Sequence, residues 1–106
     1  MDNLEVAMGL IAGAGDSRGY CMESIDYARD GKFEEAREAL DSAVNAMIET
    51  HEVQTQLIRD EMEGKGQPPS LIMVHAQDHL NLALVMRDVA EEFIALYERI
   101  KKLEEK

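Results

Sequence analysis

The sequence predicts an all-α protein, an antiparallel bundle of three long helices, and three observations carry that prediction. Hydrophobic residues make up 45% of the 106, yet only 5% are aromatic and Trp is absent; Ala, Leu, Ile, Val and seven Met supply the apolar mass. That mixture suits helix packing better than strands. Gly and Pro fall mainly at two places instead of recurring every ~8–12 residues, as an all-β chain needs. Apolar residues recur at steps of three and four over long stretches, the helical period.

The two breaks set the elements. Asp30-Gly31-Lys32 reads as a helix C-terminus with Gly in the left-handed conformation. Glu63-Gly64-Lys65-Gly66-Gln67-Pro68-Pro69-Ser70 reads as a loop ending in a Ser70 N-cap. Helices are therefore predicted over Asn3–Asp30, Phe33–Glu63 and Ser70–Glu105. At ~1.5 Å per residue each is a rod of roughly 40–50 Å, and two short connections fold the rods into antiparallel neighbours.

In the first helix Leu4, Met8, Ile11, Met22 and Ile25 supply apolar surface around a small-residue patch, Ala12-Gly13-Ala14-Gly15. Such a patch lets another helix approach closely, at ~1 kcal/mol of helix propensity per Gly. In the second, Phe33, Ala36, Leu40, Ala43 and Met47 form a stripe. It turns polar at Thr50, His51, Gln54 and Thr55, then resumes at Leu57, Ile58 and Met62. The third has the clearest period: Leu82, Met86, Val89, Phe93, Leu96, Ile100 and Leu103 alternate steps of four and three, a coiled-coil-like seam. Run backwards, that seam meets His79, His75 and Ile72. Leu71, Val74, Leu82 and Val85 form a second apolar line around Asp78. One narrow three-helix core cannot cover both lines, so self-association is expected to close the bundle.

Composition excludes several function classes. Eleven basic against twenty-two acidic residues give a formal charge of −11, an unfavourable field for nucleic acid or anionic membranes. No uncharged apolar span is long enough to cross a membrane, and Asp2 and Glu5 stand where a signal peptide carries positive charge. The single Cys21 cannot form an internal disulfide and fits a reducing cytosol; it reads as a small apolar residue of helix 1. The expectation is one cytoplasmic domain over residues 1–106.

Chemistry concentrates in His75-Ala76-Gln77-Asp78-His79. His75 and His79 are one helical turn apart, and Asp78 is three residues after His75. A carboxylate with apolar residues at i−7, i−4, i+4 and i+7 is expected to be buried if the bundle packs on that side. It would then need a proton, an ionic partner or a cation. His75, on its own residues, reads first as a core histidine in an apolar seam, with a metal ligand or a nucleophile as the alternatives. The sequence has no Glu-x-x-His, Gly-rich phosphate loop, Gly-x-Ser-x-Gly or Cys-x-x-Cys. Any chemistry must therefore use a histidine, and imidazole can attack phosphorus and hold it as a phosphoramidate. Gln77 and His79 are candidates to steady phosphoryl oxygens or to orient the His75 ring. His51, Gln54 and Thr55 either face the same cavity or form a polar layer between helices.

The sequence resembles the lactose/cellobiose family of IIA components of the bacterial phosphoenolpyruvate-dependent sugar phosphotransferase system. The carrying landmarks are Ala14-Gly15-Asp16-Ser17-Arg18, Asp30-Gly31-Lys32-Phe33, His51 with Gln54-Thr55, Ser70 through Leu80, and Phe93-Ile94-Ala95-Leu96-Tyr97. Asn81 departs from the Met that often follows Leu80 in that family. The resemblance implies a homotrimer of three-helix subunits, a nine-helix bundle. It implies that His75 accepts a phosphoryl group from the carrier protein HPr and passes it to a cysteine of a IIB component. That component serves a membrane IIC transporter. It further implies that Asp78 lies at the trimer axis and helps hold a divalent metal ion such as Mg2+, with no organic cofactor. His79 and Gln77 are read as supporting residues beside His75. Two rival readings are a non-catalytic helical adaptor with a structural His/Asp layer, and a bundle in which His75, His79 and Asp78 ligate zinc.

Overall fold

The computed structural model describes residues 2–106. Three helices follow one another: α1 (Asn3–Arg29), α2 (Phe33–Met62) and α3 (Leu71–Glu104). Both breaks lie where the sequence places them, and both use the same device. Lys32 N–H donates to Tyr27 C=O at 2.9 Å and Gly31 N–H to Ala28 C=O at 3.0 Å. Lys65 N–H donates to Asp60 C=O at 2.7 Å and Gly64 N–H to Glu61 C=O at 3.1 Å. These are Schellman closures, which require a left-handed residue; Gly31 and Gly64 supply it at φ 81° and 78°. Asp2 caps α1 by accepting from Glu5 N–H, and the Ser70 hydroxyl caps α3 by accepting from Met73 N–H.

The helices form a rod about 60 Å long and 20 Å wide. α1 packs along the length of both other helices, whereas α2 and α3 touch each other far less. α1 can serve two neighbours because its inward side is small: Ala7, Ala14, Ser17, Cys21, Ser24 and Ala28 are buried, with Leu10 the one large side chain among them. The closest approach is at Gly13, where a Cβ would overlap the Thr50 hydroxyl and come within 3.1 Å of Thr50 Cβ. Ser17 satisfies its buried hydroxyl on the Ala43 carbonyl at 2.8 Å. Cys21 is buried, as expected of a small core residue. Burial pushes its thiol above the ordinary value, against a smaller opposing effect from the Arg87 charge.

The stripe of α2 packs as read from the sequence: Ala36, Leu40, Ala43 and Met47 are buried. The seams assigned to α1 and α3 need correction. On α1, Leu4, Met8 and Met22 face outward. On α3 the inward face is Ala76, Leu80, Ala83, Ala90 and Ile94. Leu82, Val89, Phe93, Leu96, Ile100 and Leu103 are exposed, and only Met86 of the predicted seam packs at the core edge. Alanines make up three of the five buried residues of this face, with Leu80 and Ile94 beside them, and small side chains let backbones come close. Most of the remaining large apolar residues are left on the outer side of α3.

Gly13→Ala should lower stability by roughly 1–3 kcal/mol through overpacking, despite the better helix propensity of Ala. Gly9→Ala, where a Cβ meets no atom within 4 Å, should raise it by up to about 1 kcal/mol. Thermal unfolding followed by helical circular dichroism measures both. A Gly13→Ala protein as stable as the parent would show that α1 and α2 are less tightly apposed.

Candidate functional site

α3 starts at its Ser70 cap, so His75 lies just beyond the first turn, with His79 one turn further on. His75 is exposed and His79 half-buried. Their rings meet edge to face with centroids 4.5 Å apart, and the two Nε2 atoms are 3.1 Å from each other. A core histidine is thereby ruled out for His75. One Nε2 must carry the hydrogen and the other the lone pair, because two lone pairs or two neutral N–H groups cannot bond.

Asp78 is exposed in the single chain, contrary to the burial expected for a bundle packed on that side. Its helical neighbours explain the difference. Leu71, Val74, Leu82 and Val85 are all at least half exposed, and the line continues through Val89, Leu96 and Leu103. Asp78 therefore stands in the middle of an uncovered apolar stripe that runs the length of α3. His75 lies on one flank of this stripe, within reach of solvent.

Gln77 lies elsewhere. Two residues on a helix are about 200° apart around its axis, so Gln77 projects from the flank away from His75. There its Oε1 accepts from Gln54 Nε2 at 2.8 Å, while its Nε2 lies 3.7 Å from Met73 Sδ. Within one chain Gln77 does not reach the His75 ring, so it does not orient that ring from within its own subunit. The polar middle of α2 also divides. Gln54 turns toward α3 and Thr50 is buried against α1. His51 is exposed, and Thr55 returns its hydroxyl to the His51 carbonyl at 3.0 Å. Beyond Gln77, toward the bundle end, a cleft of about 480 Å³ opens between Leu57, Lys65, Pro68, Ser70 and Met73.

Among the described residues no three His, Cys, Asp or Glu side chains converge on a common point. The zinc reading therefore lacks a third ligand within one chain. A metal at Asp78 needs carboxylates from further copies.

Residues 5–98 match the family described as PTS system, Lactose/Cellobiose specific IIA subunit. The chain belongs to this family. It is 39% identical to the galactose-specific EIIA component of Lactococcus lactis subsp. cremoris, over 99% of this chain and 90% of that protein. It is 41% identical to the N,N'-diacetylchitobiose-specific EIIA component of Escherichia coli K12, over 92% of this chain and 84% of that one. The crystal structure of the cellobiose-specific enzyme IIA from Bacillus anthracis superposes with a TM-score of 0.91 at 37% identity, covering 96% and 94% of the two chains. The IIA(Chitobiose) fold in its solution complex with HPr superposes with a TM-score of 0.82 at 34% identity, covering 95% and 98%. The family model spans all three helices, and the His75–His79 pair and the open stripe belong to the matched region.

The Nε2 contact makes a spectroscopic prediction. With both rings neutral, long-range proton–nitrogen NMR should find His75 and His79 in opposite tautomers, one Nε2-protonated and the other Nδ1-protonated. Identical tautomers on both rings would contradict the contact.

Proposed function

We propose that this IIA chain is a cytoplasmic phosphocarrier that accepts a phosphoryl group from phospho-HPr on His75 and delivers it to a cysteine of a IIB component. The observation that supports this best is the exposed His75–His79 pair, the one histidine pair in a chain whose family has a member seen bound to HPr. In the transfer a nitrogen–phosphorus bond forms at His75 as the bond to the donor imidazole breaks. His75 gives up its other ring proton and the departing ring takes one up, so charge is conserved. The N–P bond of phospho-His75 then breaks as a sulfur–phosphorus bond forms on the acceptor cysteine. With His79 donating Nε2–H, the lone pair of His75 is held at its own Nε2, and the same N–H turns to a phosphoryl oxygen after transfer. Close docking of the protein partners aligns donor and acceptor and excludes water. The added charge of roughly −1.5 to −2 distinguishes the loaded carrier from the empty one.

The same proposal includes a homotrimer in which three copies of α3 pack about the stripe containing Asp78. Three-fold rotation covers Leu71, Val74, Leu82, Val85 and Leu96 of each copy, making nine helices in all. It also brings three Asp78 carboxylates toward one axis, an oxygen donor set suited to a divalent cation such as Mg2+. A bound cation would neutralise carboxylates that otherwise repel. The IIC transporter is reached only through IIB, which fits a chain with no helix long and apolar enough to cross a membrane among its described residues.

His75→Gln is expected to keep the helical content and assembly mass of the parent while taking no label from radiolabelled phospho-HPr. A labelled His75→Gln protein would move the acceptor elsewhere. Loss of folding in that variant would favour the adaptor reading, in which the histidines are structural. Asp78→Leu removes converging charge and should keep or strengthen the trimer, read by sedimentation. Dissociation to single chains would instead show that metal bridging at Asp78 supplies net stability.

A further inference from the structure

Gln54 and Gln77 form one of only two side-chain hydrogen bonds that join α2 to α3 among the described residues; the other is the exposed Arg37–Glu98 pair at the opposite end. The Gln–Gln bond fixes a position, and the group beside Gln77 sets its donor–acceptor sense. Beside Gln77, the Met73 thioether sulfur can only accept, so the amide atom 3.7 Å from it is Nε2. Oε1 is then the atom that meets Gln54, and Gln54 must donate. The sulfur contact selects this sense of the pair, and the Gln54 bond holds the amide in place once the sense is chosen. Held this way, the Gln77 carbonyl is occupied and an N–H remains free on the partly exposed side of α3.

That free donor lies on the flank of α3 opposite His75. In a three-fold ring about the Asp78 stripe, neighbouring α3 helices run parallel at equal height, and each presents one flank to the other flank of the next. His75 and Gln77 differ by only about 3 Å in height along the helix. Flank-to-flank apposition therefore turns Gln77 of one copy toward His75 of the next.

We propose that Gln54 is a positioning residue for phosphoryl transfer: by occupying the Gln77 carbonyl, it holds the amide in the sense that Met73 selects, with the Gln77 N–H toward the phosphoryl group on the neighbouring copy's His75. The inference rests on the carrier and trimer readings above. Gln77 donates a hydrogen bond to a phosphoryl oxygen and exchanges no proton. A flipped amide would present its carbonyl dipole to the same oxygens and repel them.

A double-mutant cycle on the full-length chain tests this, using single-turnover transfer from radiolabelled phospho-HPr to separate the saturating rate from the half-saturating concentration. Met is matched to Gln in length and helix propensity. Gln77→Met should slow the saturating rate about tenfold or more, the worth of one hydrogen bond to a charged group, and leave half-saturation unchanged. Gln54→Met should slow it several-fold alone and add nothing in the Gln77→Met background. Additive losses, or full activity in Gln54→Met, would overturn the positioning role. Gln54→Lys, which can only donate, should retain the rate and decides the matter should the Met variant not fold; a loss equal to that of Gln77→Met would refute the proposal. A parent protein that takes no label at all would instead sink the carrier reading itself.

Discussion

Everything else in the fold depends on how closely α1 sits against its two neighbours. Ala7, Ala14, Ser17, Cys21, Ser24 and Ala28 make its buried face almost free of bulk, and Gly13 lets Thr50 come nearly to the backbone. Ala76, Ala83 and Ala90 answer it from α3. Small side chains bury little area each, but they allow dense contact between backbones. The consequence is a division of labour on α3. Its alanines, with Leu80 and Ile94, hold the subunit together, and most of its other large aliphatic residues remain outside to meet something else.

That division positions the chemistry. His75 lies at the edge of the uncovered stripe, reachable by a partner, and His79 is near enough to set which of its nitrogens keeps a lone pair. Asp78 occupies the stripe itself. A carboxylate there costs little while exposed in one chain and becomes expensive when copies converge, unless a proton or cation accompanies it. In the proposed carrier, one turn and a half of helix carries both the reactive group offered to partner proteins and the charge offered to other copies. The slight contact between α2 and α3 leaves room beside them, and Gln54–Gln77 bridges that gap with a bond of defined direction.

Helix limits, both glycine turns and the Ser70 cap were legible because each has a local cause: a left-handed Gly, or a hydroxyl placed before free N–H groups. The packing faces were harder. Reading by apolar bulk selected Leu82, Phe93 and Leu96, whereas the subunit core uses Ala83, Ala90 and Ile94. Alanine carries little weight in such a reading, and a helix with two apolar sides offers no local clue to which partner each side meets. The burial expected for Asp78 followed from the same choice of face. The pentapeptide stands out in the sequence, but the supporting role read for Gln77 does not take account of its place two residues from His75, on the other flank of the helix. The Gln54 partnership joins residues 23 apart in sequence, and no local pattern announces it.

The account turns on the outward stripe of α3 being a surface that copies of this chain close together. Sedimentation equilibrium of the purified chain at micromolar concentration measures that directly. The account expects a mass three times that of the 11.9 kDa chain, falling to one chain when Leu82 and Leu96 are both replaced by Glu. A parent protein that sediments as a single chain would contradict it.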